Sequence, residues 1–101
     1  MKVSVAVPTF EYYGRGVEVL DDMFRTISIQ TLRDVEVVIS DHSINDDIHN
    51  YCEENEYNLN IKYVRNEEGR GSPAINTNNA LDNCSGEIIK VFQQDDFFYD
   101  T

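Results

Sequence analysis

Two adjacent carboxylates, Asp95 and Asp96, stand near the end of the 101-residue chain. They follow the apolar segment 88–92, which predicts a buried strand, and the amides Gln93 and Gln94 lie between. Ligands of open parallel sheets bind beyond the carboxyl ends of the strands. Because carboxylate and amide oxygens suit hard divalent cations, the group predicts an Mg²⁺ or Mn²⁺ site. Considered alone, these residues fit a solvated polar turn equally well.

A second polar group follows the first strand. Segment 2–7 alternates valines with small residues, which predicts a central strand buried on both faces. We expect Pro8 to stop this strand, because proline cannot donate to the ladder. Thr9, Phe10 and Glu11 then lie at its carboxyl end, where an aromatic ring and hydrogen-bonding groups could stack on and pair with a base. A simple strand exit is the alternative.

A third candidate, Asp41, follows the predicted strand 36–40. An aspartate at the end of an interior strand is costly without a partner, so Asp41 is a better site candidate than a surface aspartate. The neighbouring His42 is a single histidine, which is more typical of a loop than of a metal site.

Helical patterns separate the strands and complete an α/β order. Apolar residues recur at three- and four-residue steps from Val17 to about residue 30. Loop 12–16, with Gly14 and Gly16 as its flexible points, precedes that helix. The other elements are a helix capped by Asn45 and ending near residue 55, a strand over 61–64, and a helix over 73–84 with Ser72 as N-cap. Right-handed crossovers then give a Rossmann-like parallel sheet with flanking helices, whose strand ends bring the three polar groups to one edge.

The composition limits the partners. The 41% hydrophobic and 27% charged fractions describe one small globular domain. A formal net charge of -11 argues against a nucleic-acid partner, because such proteins neutralise phosphates with Lys and Arg. A phosphate ligand would therefore need a metal ion.

The sequence also suggests a cellular setting. No apolar run approaches the length of a membrane span, and no signal peptide precedes the first strand. Cys52 and Cys84 have no metal-ligand spacing, so we expect reduced thiols and a cytoplasmic location.

Several motifs, in this order, resemble the amino-terminal half of a family-2 glycosyltransferase with the GT-A fold. They are Val-Ala-Val-Pro-Thr-Phe at 5–10, Val-Val-Ile-Ser-Asp at 37–41, Asn-Asn-Ala-Leu at 78–81, Ser-Gly-Glu-Ile-Ile at 85–89 and Gln-Asp-Asp at 94–96. The resemblance covers essentially the whole chain and implies binding of a nucleotide-diphosphate sugar.

The resemblance also implies roles for particular residues. The turn after the first strand lies against the nucleotide in that family, which implies Pro8, Thr9, Phe10 and Glu11. The aspartate closing the second strand pairs with the base, which implies Asp41.

For the ribose and phosphates, the resemblance implies Gly71 and the region of Asn78. The acidic motif holds the divalent metal, which implies Asp95 and Asp96, with Gln93 where the family usually has its first aspartate. Thr77 stands where an arginine is common, so Arg65 or Arg70 could replace that positive partner of the phosphates.

The resemblance stops just after the metal motif. We expect residues 1–101 to be the donor-binding part of the domain, truncated after that motif. The catalytic base and the surface for a sugar or glycan acceptor belong to the other half, so we expect no transfer from this part alone. An uncovered apolar edge also makes a homodimer possible.

Two other interpretations stay open. The segment 69–74 fits the G-x-G-x-x-A pattern of a dinucleotide-binding turn, but follows the third strand rather than the first. Gly14 and Gly16 are on the expected turn, yet Val19 occupies the third position. A non-enzymatic metal-binding or phospho-acceptor regulatory domain could use Asp41 and Asp95, but Lys90 lies mid-strand rather than at a strand end.

Overall fold

A computed structural model describes residues 2–10, 15–29, 34–69 and 72–92. Strands and helices alternate strictly along these residues, as the sequence predicts. In chain order they are β1 (Val3–Thr9), α1 (Arg15–Ser28), β2 (Val35–Asp41), α2 (Asp47–Glu54), β3 (Asn60–Arg65), α3 (Pro73–Asp82) and β4 (Ile88–Val91).

The four strands form one parallel sheet in the order β3-β2-β1-β4. The predicted α/β fold is therefore confirmed, with β1 between two neighbours and buried from Ser4 to Thr9. Thr9, Asp41 and Arg65 are register partners at the carboxyl edge. The topology thus aligns the last residues of three strands at the same level.

The prediction that Pro8 stops β1 is wrong, because the strand continues through Pro8, opposite Ser40, to Thr9. The N–H of Val3 and the carbonyl of Thr9 bond toward β2, whereas the carbonyl of Ala6 accepts from Phe92 beside β4. Since these directions alternate along a strand, the N–H that Pro8 lacks would point toward β4, whose ladder reaches only Ala6. The proline therefore costs no bond to β2.

Two helices cover one face of the sheet. From α1, Leu20, Met23 and Phe24 pack at no more than 1% exposure against the core of β1, β2 and α2. Gly16, expected in a flexible loop, is a buried residue of α1. The helix begins at Arg15, two residues before Val17, because the apolar pattern marks only the part of a helix that carries apolar side chains.

The amino-terminal ends of α2 and α3 differ in their capping. Ser72 caps α3, accepting the Ile75 N–H at 3.4 Å, with Pro73 at the first position, as predicted. The N-cap of α2 is Asp46 rather than Asn45, whose side chain accepts the Asp47 N–H at 3.2 Å. No described helix is long and apolar enough to cross a membrane.

The expectation that β4 is buried is wrong for the described residues. Ile88, Ile89 and Val91 are 42–43% exposed, and among the described strands β4 pairs with β1 alone, at the edge of the sheet. Successive residues of a strand point to opposite faces, so exposure of both Ile88 and Ile89 leaves both faces partly uncovered.

A buried carboxylate attaches the segment before β4 to the amino-terminal edge of the sheet. Glu36 Oε2 accepts the hydroxyl of Ser4 at 2.5 Å, and the backbone N–H of Ser85 at 2.7 Å. The Ser4 oxygen in turn accepts the N–H of Gly86 at 2.7 Å. A Cβ on Gly86 would lie 2.6 Å from that oxygen and 2.7 Å from the Ser4 nitrogen, so only glycine fits there.

Candidate functional site

The carboxyl edge brings two of the predicted site residues into direct contact. Thr9, the last residue of β1, donates its hydroxyl to Asp41 Oδ1 at 3.1 Å. Both residues are buried, at 2% and 0% exposure. Neither polar group faces bulk water, so each depends on the other and on nearby donors.

Asp41 is the most heavily bonded side chain at this edge. Its Oδ1 also accepts from Ser43, whose N–H lies at 3.0 Å and whose hydroxyl lies at 2.6 Å. Its Oδ2 accepts the hydroxyl of Tyr63, on β3, at 2.5 Å. The donors to a buried carboxylate offset the cost of removing its charge from water.

Tyr63 connects Asp41 to a cation. Arg65 Nε donates to the Tyr63 oxygen at 3.3 Å, while Arg65 Nη2 bonds to the Asn45 carbonyl at 2.7 Å and to Asp46 at 2.8 Å. Burial, together with its bond to Asp41, raises the pKa of Tyr63, so its hydroxyl stays protonated at neutral pH. Arg65, a candidate partner for phosphates, is thus already bonded to the loop before α2.

Helix α3 contacts this edge through amides that the sequence analysis missed. The Asn76 oxygen accepts the Ser40 hydroxyl at 2.7 Å, and its amide donates to the carbonyl of Thr9 at 3.3 Å. Asn79 donates to Ser40 at 2.8 Å. The predicted site residue Asn78 is exposed. Asn79 and the apolar Ala80 lie three and four residues after Asn76. This spacing puts all three on one face of α3 and could have identified the face that points to the sheet.

The loop between β3 and α3 is attached to the same edge through His42. This side chain is 4% exposed, and its Nε2 lies 2.9 Å from the Glu68 carbonyl and 3.1 Å from Asn66 Nδ2. The Asn66 oxygen accepts the Glu68 N–H at 3.1 Å, which orients the amide. His42 is therefore a loop residue, as predicted, and its ring holds the separate loop between β3 and α3 in place.

The remaining predicted nucleotide residues of β1 differ in exposure. Pro8 is buried within the strand, whereas Phe10 is 44% exposed just beyond it. An accessible ring beside the Thr9–Asp41 pair is a surface on which a planar base could stack.

The predicted metal residues Gln93, Asp95 and Asp96 lie outside the described residues, as do Glu11, Arg70 and Gly71. Over the described ranges, no three His, Cys, Asp or Glu side chains gather into a metal site. The Phe92 N–H bonds to the Ala6 carbonyl at 2.9 Å, so the chain leaves β4 beside the carboxyl half of β1. The metal site predicted from the sequence follows this point in the chain and stays a prediction.

Comparison with known proteins decides the family, because residues 4–101 match Glycosyl transferase family 2. The chain belongs to this family. A curated relative is the GalNAc(5)-diNAcBac-PP-undecaprenol beta-1,3-glucosyltransferase of Campylobacter jejuni, which is 34% identical over 96 residues. That alignment covers 94% of this chain and 30% of the relative.

Two solved structures of nucleotide- or nucleotide-sugar-bound proteins superpose on the family-2 chain. S. aureus TarS 1-349 in complex with UDP superposes with a TM-score of 0.74 at 26% identity, covering 94% of this chain and 28% of that one. The mannosyltransferase PcManGT from Pyrobaculum calidifontis, in complex with GDP-Man and Mn²⁺, superposes with a TM-score of 0.70 at 29% identity. That superposition covers 93% of this chain and 27% of PcManGT. The family-2 chain thus spans less than a third of the relatives that it matches.

Proposed function

We propose that this chain is the donor-binding part of a glycosyltransferase, and that it binds a nucleotide-diphosphate sugar with the help of Mn²⁺ or Mg²⁺. The observation that carries the proposal is the contact between Thr9 and Asp41 at the carboxyl edge of the sheet. Membership of the family, and relatives crystallised with UDP or with GDP-Man and Mn²⁺, support it.

The base is assigned to Asp41 and Phe10. A carboxylate accepts hydrogen bonds from ring N–H groups, which both uracil and guanine carry, so this contact suits UDP or GDP. The half-exposed ring of Phe10 stacks on the base, with Pro8 and Thr9 forming the strand end beneath it and Glu11 following.

The diphosphate needs positive charge that an acidic chain supplies poorly. The formal net charge is -11, and Arg65 is already paired with Asp46. We assign the metal to Asp95 and Asp96, assisted by Gln93. A bound divalent cation supplies the charge that stabilises a departing nucleoside diphosphate.

Gly71 and Asn78 are assigned to the ribose and phosphates. The loop before α3 is attached through Glu68 to His42, next to Asp41 in the chain, so the described residues that precede Gly71 in the sequence lie near the proposed base contact. Asn78 is exposed on the same helix and therefore accessible to a ligand.

Transfer to a sugar or glycan acceptor is assigned to the larger domain of the relatives. Because this chain covers 27–30% of them, we assign the catalytic base and the acceptor surface to parts with no counterpart in residues 1–101. On this proposal, residues 1–101 bind the donor without transferring the sugar.

Calorimetry of UDP, GDP and NAD⁺ against the chain, with and without Mn²⁺, tests this function. Mn²⁺-dependent binding of one nucleoside diphosphate is expected and identifies the preferred base. Tight, metal-independent binding of NAD⁺ would instead favour a dinucleotide-binding module. If UDP and GDP both fail to bind with Mn²⁺ present, the proposed donor site is wrong for this chain.

A further inference from the structure

The two oxygens of Asp41 have different donors. Oδ1 accepts three hydrogen bonds, one from Thr9 and two from Ser43. Among the described side chains, the donor at Oδ2 is the Tyr63 hydroxyl, 2.5 Å away. Each carboxylate oxygen has about two lone-pair sites, so the capacity of Oδ1 is used, whereas Oδ2 has one described donor.

The donors also differ in their attachment. Ser43 lies two residues from Asp41 in the chain, and Thr9 is its register partner in the adjacent strand. The Tyr63 hydroxyl instead stands at the end of a long side chain from β3, on a residue of intermediate exposure. Of the two oxygens, Oδ2 therefore has the donor that can be displaced with less disturbance of the strand ends.

Tyr63 is directed toward Asp41 from two sides. Arg65 donates to the Tyr63 oxygen at 3.3 Å, which leaves the hydroxyl proton for Asp41. The His49 ring stacks on the Tyr63 ring at 4.6 Å between centroids. In the free protein, this arrangement holds a donor at Oδ2 that resembles the N–H of a base in its chemistry.

Asp41 has no exposed surface. A base can therefore reach its carboxylate only if a present neighbour moves, and Oδ2 is the oxygen with a single described donor. We propose that the ring N–H of the nucleotide base replaces the Tyr63 hydroxyl at Asp41 Oδ2, so that Tyr63 limits nucleotide affinity by internal competition. This inference rests on the proposed function, because it requires Asp41 to contact the base.

The test compares Tyr63→Phe with Tyr51→Phe. Tyr51 donates to Asp21 at 2.6 Å, so its variant loses the same kind of bond, between α2 and α1 rather than at Asp41. Both substitutions remove one oxygen and keep the ring. We expect Tyr63→Phe to bind UDP with Mn²⁺ about three- to tenfold more tightly than wild type, the value of one net hydrogen bond. Tyr51→Phe should bind as wild type.

A modified nucleotide separates competition from a general change in the site. N3-methyl-UDP lacks the ring N–H, so wild type and Tyr63→Phe should bind it equally, whereas Tyr63→Phe should discriminate more strongly between UDP and the methylated form. If GDP is the nucleotide that binds, GDP and N1-methyl-GDP replace these ligands.

A second measurement follows Tyr63 directly. When UDP is added to wild type, the Tyr63 hydroxyl should lose its bond to the Asp41 carboxylate, and the ultraviolet absorption of the tyrosine should change. The Tyr63→Phe variant should lack that change. The proposed competition is wrong if a folded Tyr63→Phe variant binds UDP no more tightly than wild type. It is also wrong if the variant gains as much affinity for N3-methyl-UDP as for UDP. Failure of wild type to bind either nucleotide overturns the proposed function instead.

Discussion

Ser85 donates both its backbone N–H and its hydroxyl to one oxygen of Glu36, at 2.7 and 3.0 Å. Ser4 donates to that same oxygen, and Lys2 lies 3.6 Å from the other oxygen of the carboxylate. Glu36 is 7% exposed. Its carboxylate thus joins β1, β2 and the segment leading into β4.

This arrangement predicts an acid-sensitive fold. The Ser4 hydroxyl, followed by the two Ser85 donors and Lys2, lowers the pKa of Glu36 from its ordinary 4.5 to about 2. Because the folded pKa lies below the unfolded value, the stabilisation is complete above pH 4.5 and is lost as pH falls toward 2. We expect Glu36→Gln to lower the free energy of unfolding by about 2 kcal/mol at pH 7, and by much less near pH 2.5.

Urea unfolding of wild type and Glu36→Gln across this pH range measures the difference. Glu18→Gln, at an exposed position of α1, is the control for loss of one negative charge. A difference between wild type and Glu36→Gln that stays constant with pH would show that the charge of Glu36 does not stabilise the fold.

His42 is predicted to hold the β3–α3 loop by hydrogen bonding. His42→Leu fills the space but removes Nε2, which either donates to the Glu68 carbonyl or accepts from Asn66 according to its tautomer, so we expect a loss of about 1–2 kcal/mol. His42→Gln should recover part of it, because an amide can donate to Glu68 and accept from Asn66. Hydrogen exchange at the Glu68 amide, combined with urea unfolding, checks both variants. Equal behaviour of the two would mean that ring packing, not hydrogen bonding, holds the loop.

Asn76 and Asn78 should separate stability from binding. Asn76→Ala removes the partner of Ser40 and Thr9 at a position 4% exposed, so we expect a loss of about 2 kcal/mol in thermal unfolding. Asn78→Ala should change stability by less than about 0.5 kcal/mol, since the residue is exposed. If Asn78 belongs to the ribose and phosphate site, Mn²⁺–UDP affinity nevertheless falls in this variant. Unaltered affinity would remove Asn78 from the site.

The metal assignment predicts an unequal effect of the adjacent acids. We expect Asp95→Ala to weaken Mn²⁺-dependent UDP binding more than Asp96→Ala, because the proposed assignment, which follows the family resemblance, makes Asp95 the main metal ligand. Calorimetry with and without Mn²⁺ measures each variant, and Asp82→Ala, at an exposed position of α3, is the control. Identical titrations for the Asp95 and Asp96 variants would contradict this ranking.

The fold was predictable because its signals are local. Alternation predicted β1, three- and four-residue periodicity predicted α1, short apolar runs predicted β2 and β4, and Ser72 with Pro73 marked the start of α3. The predictions for Pro8 and β4 were wrong because the neighbours of each strand decide these features. The tolerance of Pro8 depends on which neighbour its missing N–H faces, and the exposure of β4 depends on what lies beyond it.

The candidate site was only partly predictable for a related reason. Asp41 and Thr9 could be identified because strand ends converge at one edge of a parallel sheet. Their partners Tyr63 and Asn76 come from other elements, and nothing in the local sequence fixes which rotamer reaches across. Tyr63 looks like an ordinary strand residue until its register with β2 is known.

The attachment of β4 to β1 has a consequence for folding order. The partners Val3 and Ile88 join the first of the described strands to the last of them, across two other described strands and three helices. Closing such a long loop costs entropy, roughly 0.6 kcal/mol for each doubling of length, before any contact compensates. During synthesis, β1 therefore leaves the ribosome before β4 and has one unpaired edge until residues 85–92 emerge. A nascent chain stalled before that point would present β1 to other strands, which makes early arrest, rather than completed folding, the moment of greatest aggregation risk.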